Sequence, residues 1–209
     1  MSDPDILGPA EIDALAEGAL LRTFPKNAVI VNEGDSTDSL YIILAGRVRV
    51  FLANDEGKEV TLGTQGSGEY FGEMVLDGGP RSASIMTLEP SRFAVVSREQ
   101  FTAFLAAHPD FSLRLIRKLI HRTRSLTNSV RSLALLDVYG RVARLLLDLA
   151  IEQDGRRVIP ERLTQQDIAS RVGASREMVS LILKDLSAGG YITISGKAIT
   201  VNKEPPKHW

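Results

Sequence analysis

The chain contains no cysteine among its 209 residues. This absence excludes a disulfide framework, a cysteine-ligated zinc site and an iron–sulfur cluster. Histidine is scarce too, and the three copies (His108, His121 and His208) all lie outside the glycine-rich stretch 26–97. With no histidine there, and no nucleophile beside a base, the sequence argues against an enzyme and against a metal site.

Long apolar runs are also missing. No stretch approaches the ~20 apolar residues that a transmembrane helix needs, and the N-terminus, MSDPDILGPAEIDAL, has neither the basic nor the apolar segment of a signal peptide. We therefore expect a cytoplasmic protein with no membrane partner.

The near-neutral charge of −1 conceals an asymmetry. Residues 1–108 carry 8 basic against 16 acidic side chains, residues 109–138 carry 6 against 2, and residues 139–209 carry 11 against 8. An acidic N-terminal half followed by a basic C-terminal half indicates two separate functions, with a polyanion bound by the C-terminal half.

The front half reads as short strands. Residues 10–24 have the apolar spacing of an amphipathic helix. From Lys26 to Ser97 the pattern changes to short apolar runs, such as LYIILAG and RVRVFLA, bounded by glycine turns. Strands of this length at regular spacing predict a β-sandwich or a β-barrel.

The segment Phe71–Ser84, FGEMVLDGGPRSAS, is suited to a sugar phosphate. Arg81 offers a guanidinium fork to a phosphodiester, and Glu73 offers an acceptor to a ribose hydroxyl. Small residues such as Gly72 let backbone N–H groups approach closely. The ordinary alternative is an exposed glycine turn between two strands.

A helix over residues 99–107 and a longer one over about 110–136 follow. The longer helix carries apolar residues at alternating spacings of three and four, which form a heptad seam that favours a parallel homodimer. Its members are Ile116, Leu119, Thr123, Leu126, Val130, Leu133 and Asp137. The alternative is a single amphipathic helix lying on its own barrel. A second stripe of Phe111, Leu115 and Ile120 could make that contact while the seam faces a partner.

The last 70 residues predict a DNA-binding unit. After a helix over 138–153 and a loop at 155–157, Thr164 and Ser175 are candidate N-caps of two short helices, 165–171 and 176–187. Two such helices joined by a glycine turn are typical of a helix-turn-helix. The segments YITI and AITV then predict a hairpin wing.

In this motif the second helix enters the major groove by its N-terminal end. Arg176, Glu177 and Ser180 are predicted to face bases there, because arginine pairs with guanine and glutamate accepts from cytosine. Three more residues suit backbone phosphates, which position the protein without reading sequence: Ser175, Lys184 and Lys197.

These segments resemble the cyclic-AMP receptor protein/fumarate-nitrate regulator superfamily of bacterial transcription factors. The resemblance rests on FGEMVLDGGPRSAS, LALLDVYGRVARLLLDLA and LTQQDIASRVGASREMVSLILKDL, and it covers nearly the whole chain. It implies an α+β fold: a cyclic-nucleotide-binding β-barrel of jelly-roll type over 1–108, a dimerisation helix over 109–137 and a winged helix-turn-helix over 138–209.

The first segment resembles the family's phosphate-binding cassette. The resemblance implies that the ligand-binding residues of this segment are Gly72, Glu73, Met74, Arg81, Ser82 and Ala83. In the family's cyclic-AMP receptor, two adjacent hydroxyl residues of the dimer helix contact adenine, one of them from the partner chain. Leu126 and Thr127 occupy those places here, so only Thr127 can make that contact. Leu181 stands where members that read a TGTGA-type half-site usually have a second arginine, so we expect an operator that is altered or bound less selectively.

The function expected from this resemblance is a homodimeric transcription regulator that binds a palindromic operator and RNA polymerase. Its effector would be a cyclic nucleotide, cyclic AMP in the first instance, with cyclic di-GMP as an alternative. Two further readings stay open: a ligand-independent DNA binder whose barrel is a scaffold, and a barrel enzyme tethered to DNA.

Overall fold

The computed structural model describes residues 6–57, 59–196 and 198–205. The chain falls into two compact units, which divide between Arg124 and Ser125. Each unit has a hydrophobic core of its own, as two distinct domains require.

The first unit holds eight strands, two short helices and the start of a long one. Its elements are α1 (Pro9–Ala16), β1 (Leu20–Phe24), β2 (Val29–Val31), β3 (Ser39–Ala45), β4 (Arg47–Ala53), β5 (Glu59–Gly66), β6 (Tyr70–Phe71), a 3-10 helix (Glu73–Asp77), β7 (Ser84–Thr87), β8 (Ser91–Ser97), α2 (Arg98–Ala107) and α3 (Pro109–Leu135).

The strands form two four-stranded antiparallel sheets, in the orders β1-β8-β3-β6 and β2-β7-β4-β5. Along the chain, the path crosses between the sheets at every step except the β4–β5 hairpin, in the manner of a jelly roll. The predicted α+β jelly roll is therefore confirmed. Its two sheets stay open at their edges and do not join into one closed barrel.

The side chains of β3 alternate between two hydrophobic clusters. Leu40 and Ile42 join a cluster that α1, α2 and α3 cover, whereas Ile43 joins the cluster between the two sheets, around Phe93. Successive strand residues point to opposite faces, so one strand serves both layers.

The predicted helix over residues 10–24 is wrong in its second half. Helix α1 ends at Ala16, and Gly18 follows with a left-handed φ of 73°. Residues 20–24 then pair with β8. The apolar residues of this stretch fit both periods over so short a length, and sheet pairing decides between them.

The second unit contains three helices and a four-stranded sheet. Its elements are α4 (Val138–Leu149), β9 (Ile151–Gln153), β10 (Arg156–Ile159), α5 (Gln165–Val172), α6 (Arg176–Ala188), β11 (Ile192–Ser195) and β12 (Ala198–Val201). The sheet order is β11-β12-β10-β9. The predicted wing is present as β11–β12. Of the stretch 155–157, predicted as a loop, Gly155 lies in the turn between β9 and β10, whereas Arg156 and Arg157 begin β10 and pair with β9.

Asp137 does not continue the predicted heptad seam. Its backbone is extended, and its Oδ1 accepts a hydrogen bond from the backbone N–H of Gly140 at 2.7 Å. It is the N-cap of α4, which separates this helix from α3. None of the helices described in these ranges is long and apolar enough to cross a membrane.

Thr87 ties the β2 edge of the jelly roll together. It is fully buried, its Oγ1 donates to the carbonyl of Pro25 at 2.7 Å, and it accepts from the backbone N–H of Ala28 at 2.8 Å. Replacing Thr87 by Val keeps the shape but leaves both backbone groups buried without that partner. We expect Thr87→Val to lower the free energy of unfolding by ~1–3 kcal/mol in urea titrations.

Thr87→Ser is the matched control, because it retains the hydroxyl and loses only a methyl group. If the serine variant lost as much stability as the valine variant, packing rather than hydrogen bonding would account for the role of Thr87.

Candidate functional site

Gly72 sets the shape of the cassette. It joins β6 to the 3-10 helix with a left-handed φ of 88°. A Cβ at this position would collide with Nη1 of Arg81 and would lie 2.9 Å from the carbonyl oxygen of Ser39. Only glycine permits both this backbone conformation and this close approach of the guanidinium.

Arg81 is a buried cation with incomplete hydrogen bonding. It is 8% exposed, Nη2 donates to the carbonyl of Ser39, and Nη1 donates to the carbonyl of Gly72 at 3.5 Å. Its Nε has no hydrogen-bond partner among the described residues. An arginine has five N–H donors, so this site retains capacity for an anion.

The charge of Arg81 is balanced only at a distance. Burial lowers the pKa of its guanidinium, while Tyr41, Glu73 and two aspartates oppose that shift. Within the described ranges, no carboxylate forms an ion pair with it. A buried cation without a contacting anion is costly, and a bound phosphate would relieve that cost.

Glu73 is buried and paired. Its side chain is 3% exposed, and its Oε1 lies 2.8 Å from Nη1 of Arg122, on α3. A carboxylate has about four acceptor positions, so this ion pair leaves Glu73 able to accept from a ligand hydroxyl as well.

One cavity brings these groups together. Its empty volume is about 520 Å³, counting the space open to solvent at its mouth. Its polar lining consists of Thr37, Gln65, Glu73, Arg81, Ser82 and Arg122, and its apolar lining includes Val31, Val50, Phe71, Met74, Val75, Ala83 and Ile85.

All six predicted cassette residues line this cavity. Ser82 is exposed, and its hydroxyl donates to the sulfur of Met74 at 3.2 Å. Ala83 is buried at the start of β7, where a larger side chain would fill the cavity. Thr127, the seventh predicted ligand contact, is an exposed residue of α3 in the second unit.

Sequence reasoning missed three of the polar lining residues. Arg122 continues the buried stripe of Phe111, Leu115 and Lys118 at spacings of four, three and four, so helix periodicity could have found it. Ile120, assigned to that stripe from the sequence, is 46% exposed instead.

No sequence pattern identified Thr37 and Gln65 as cavity residues. The Nε2 of Gln65 donates to the carbonyl of Tyr70 at 3.1 Å, but its Oε1 and the Oγ1 of Thr37 have no partner within the described part of the chain. Thr37 lies between Ser36 and Asp38, and Gln65 lies between Thr64 and Gly66. Only the fold brings them to the cavity.

The second unit contains the predicted helix-turn-helix. The Oγ1 of Thr164 caps α5 by accepting from the N–H of Asp167 at 3.1 Å, and the Oγ of Ser175 caps α6 by accepting from the N–H of Met178 at 3.2 Å. Between the helices, Gly173 takes a left-handed φ of 66°. Local capping and one glycine therefore fix the turn.

One face of α6 is packed and the other is open. Val179, Ile182, Leu183 and Leu186 are buried. Of the residues predicted to contact DNA, Ser175, Arg176, Glu177 and Lys184 are exposed, and Ser180 is half-buried. Arg176, Glu177 and Lys184 form no ion pair with any described residue. Lys197, the sixth, lies outside the described residues.

A metal-binding cluster of three or more histidine, aspartate or glutamate side chains is not found in the described ranges.

Two protein-family models match the chain. A cyclic nucleotide-binding domain matches residues 21–108, and a Crp-like helix-turn-helix domain matches residues 140–205. The first match contains every cavity-lining residue except Arg122, and the second contains both helices of the motif.

Similar proteins cover almost the full length. A CRP-like cAMP-activated global transcriptional regulator of Mycobacterium tuberculosis is 35% identical, over 93% of this chain and 89% of the relative. The cAMP-activated global transcriptional regulator CRP of Salmonella typhimurium is 32% identical, over 94% and 98%.

Among solved structures, the c-di-GMP-responsive global regulator CLP of Xanthomonas campestris superposes with a TM-score of 0.77. It is 29% identical, over 92% of this chain and 98% of that one. These relatives are named as regulators and not as enzymes. With both domains matched and relatives above 30% identity along its length, the chain belongs to the CRP/FNR superfamily of DNA-binding transcription regulators.

Proposed function

We propose that this protein is a homodimeric, sequence-specific transcription regulator whose DNA affinity is controlled by a cyclic nucleotide, cyclic AMP in the first instance. Residues 1–108 act as the sensor, residues 109–137 as the dimerisation helix, and residues 138–209 as the DNA-binding domain. RNA polymerase is the further partner that this role implies.

The buried pair of Arg81 and Glu73 in one cavity is the observation that carries this proposal. A cyclic nucleotide presents one phosphodiester anion beside one ribose hydroxyl. Arg81 supplies donors to the anion, with the hydroxyl of Ser82 at the exposed side of the cavity. Glu73 supplies an acceptor to the ribose.

The cavity is lined by two guanidiniums, and that of Arg122 is already paired with Glu73. The remaining guanidinium, of Arg81, and the carboxylate of Glu73 match a mononucleotide, which has one phosphodiester and one free ribose hydroxyl. This stoichiometry supports cyclic AMP over cyclic di-GMP, which carries two phosphodiesters. Cyclic di-GMP is the second candidate, because the Xanthomonas regulator named for its response to that ligand is 29% identical along most of the chain. Thr127 is the proposed contact for the base.

Ligand binding reaches α3 through Arg122. A ribose hydroxyl that donates to Glu73 shares that carboxylate with Arg122, so the ligand changes the interaction that holds α3 on the cassette. Helix α3 continues to Leu135, two residues before the N-cap of α4. We propose that this continuity passes the signal to the DNA-binding domain.

The homodimer rests on the exposed stripe of α3. The exposed fractions of its apolar side chains are 52% for Ile116, 37% for Leu119, 48% for Leu126, 65% for Val130 and 56% for Leu133. Heptad spacing and exposure together favour burial against a second copy of the helix.

A dimer would place two copies of α6 on one duplex, about 34 Å apart, so a palindromic operator is expected. In each half-site Arg176, Glu177 and Ser180 would face bases, and Ser175, Lys184 and Lys197 would face phosphates. The competing view, a scaffold without a ligand, differs in one respect: no nucleotide would bind the cavity.

Arg81→Ala tests the cavity directly. By removing the charged donors, it should weaken cyclic AMP binding about a hundredfold or more in titration calorimetry, since two charge-assisted hydrogen bonds contribute roughly 1.5–3 kcal/mol each. Arg92→Ala, at an exposed position of β8, is the matched control and should bind normally. If the folded Arg81→Ala protein bound cyclic AMP with unchanged affinity, the cassette would not be the nucleotide site. The same titration with cyclic di-GMP shows which of the two effectors binds.

Val130→Asp tests the dimer. A carboxylate at an apolar seam position should convert the dimer to a monomer at micromolar concentration, as measured by sedimentation equilibrium. Asn128→Asp adds the same charge at an exposed position on the opposite side of α3, and it should leave the dimer intact. A monomeric wild-type protein, or a dimer that tolerates Val130→Asp, would contradict the seam.

A further inference from the structure

The centre of the open face of α6 is apolar. Leu181 is 55% exposed, on the side of the helix opposite the buried Val179 and Leu186. At about 100° per residue, Leu181 lies one turn beyond Glu177 and three residues before Lys184, on the same outward face. Its position between Glu177 and Lys184 places an apolar side chain on the face of α6 that is proposed to contact DNA.

We propose that Leu181 is a specificity-determining residue that reads the 5-methyl group of a thymine in the major groove. This inference rests on the proposed DNA-reading role of α6 and adds one base to it. Leu181 has no hydrogen-bonding group, so its contact with a base is an apolar one.

The chemistry of the groove narrows the choice to thymine. The other edges exposed there are hydrogen-bond donors or acceptors: N7 and O6 of guanine, N7 and N6 of adenine, and N4 of cytosine. Leucine would remove those groups from water without replacing their hydrogen bonds. The thymine methyl is apolar, so contact with Leu181 buries two apolar surfaces and costs no hydrogen bond.

Leu181 thus contributes to base-pair specificity in two ways. It stabilises a T·A pair through the methyl contact, and it disfavours the other pairs by desolvating their polar edges. Four helical residues span about 6 Å, and base pairs stack every ~3.4 Å. The thymine should therefore lie within about two base pairs of the base that Glu177 contacts.

Deoxyuridine scanning tests this contact at the level of one methyl group. Duplexes are first selected from a random-sequence pool with the full chain at one salt concentration, with and without cyclic AMP. Each thymine of the selected half-site is then replaced by deoxyuridine, which lacks only the 5-methyl group. At one thymine per half-site, the substitution should weaken wild-type binding about fourfold.

Leu181→Ala should bind the thymine and uracil duplexes equally, whereas Leu181→Met, which keeps an apolar side chain, should remain sensitive to the methyl. In a duplex with C·G at that step, 5-methylcytosine should restore part of the lost affinity for the wild type and none for Leu181→Ala. Leu181 is exposed, so both variants should unfold at the wild-type temperature.

Wild-type indifference to uracil at every thymine, or equal sensitivity in Leu181→Ala, would overturn the assignment while leaving sequence-specific binding intact. Failure to enrich any duplex in either pool would instead contradict the proposed function, and this inference with it.

Discussion

The ion pair between Glu73 and Arg122 is the constraint on which the sensor depends. A carboxylate that is 3% exposed must keep a partner, and here the partner comes from the long helix, 2.8 Å away. Because Arg122 retains 37% of its side-chain exposure, the pair is weaker than a fully buried one and can be altered without unfolding the domain. Any ligand that shares Glu73 therefore acts on α3.

The charged side chains of the cavity and of helix α6 differ in burial and in how firmly they are held. In the cavity, Gly72 and the buried backbone hold the guanidinium of Arg81 in a fixed place before a ligand arrives. On α6, Arg176, Glu177 and Lys184 are exposed to water and are oriented only by the helix. A guanidinium held in place before binding favours recognition of one small anion. Exposed charges on a helix favour a long polyanion, whose contacts are many and weak.

Much of the architecture could be predicted from the sequence because its signals are local. Glycine turns marked the strands, Thr164 and Ser175 marked the helix-turn-helix, and the cassette residues lie within one short segment. The errors occurred where partners distant in sequence decide the outcome. Residues 20–24 became a strand because β8 is their partner, and Arg157, predicted in a loop, lies in a strand that pairs with the distant β12. Gln65 enters the cavity only through the fold, which no local pattern encodes, whereas the helix periodicity of α3 could have located Arg122.

The central claim is that a nucleotide in the cavity and DNA on α6 are linked through α3. Linkage is reciprocal, so the two affinities must change by the same factor, typically about 5–150-fold. The most direct measurement is a closed cycle: DNA affinity with and without saturating cyclic AMP, and cyclic AMP affinity with and without saturating operator DNA. The account predicts equal factors well above one in both arms. A factor of one in both arms, with binding of each ligand intact, would contradict it.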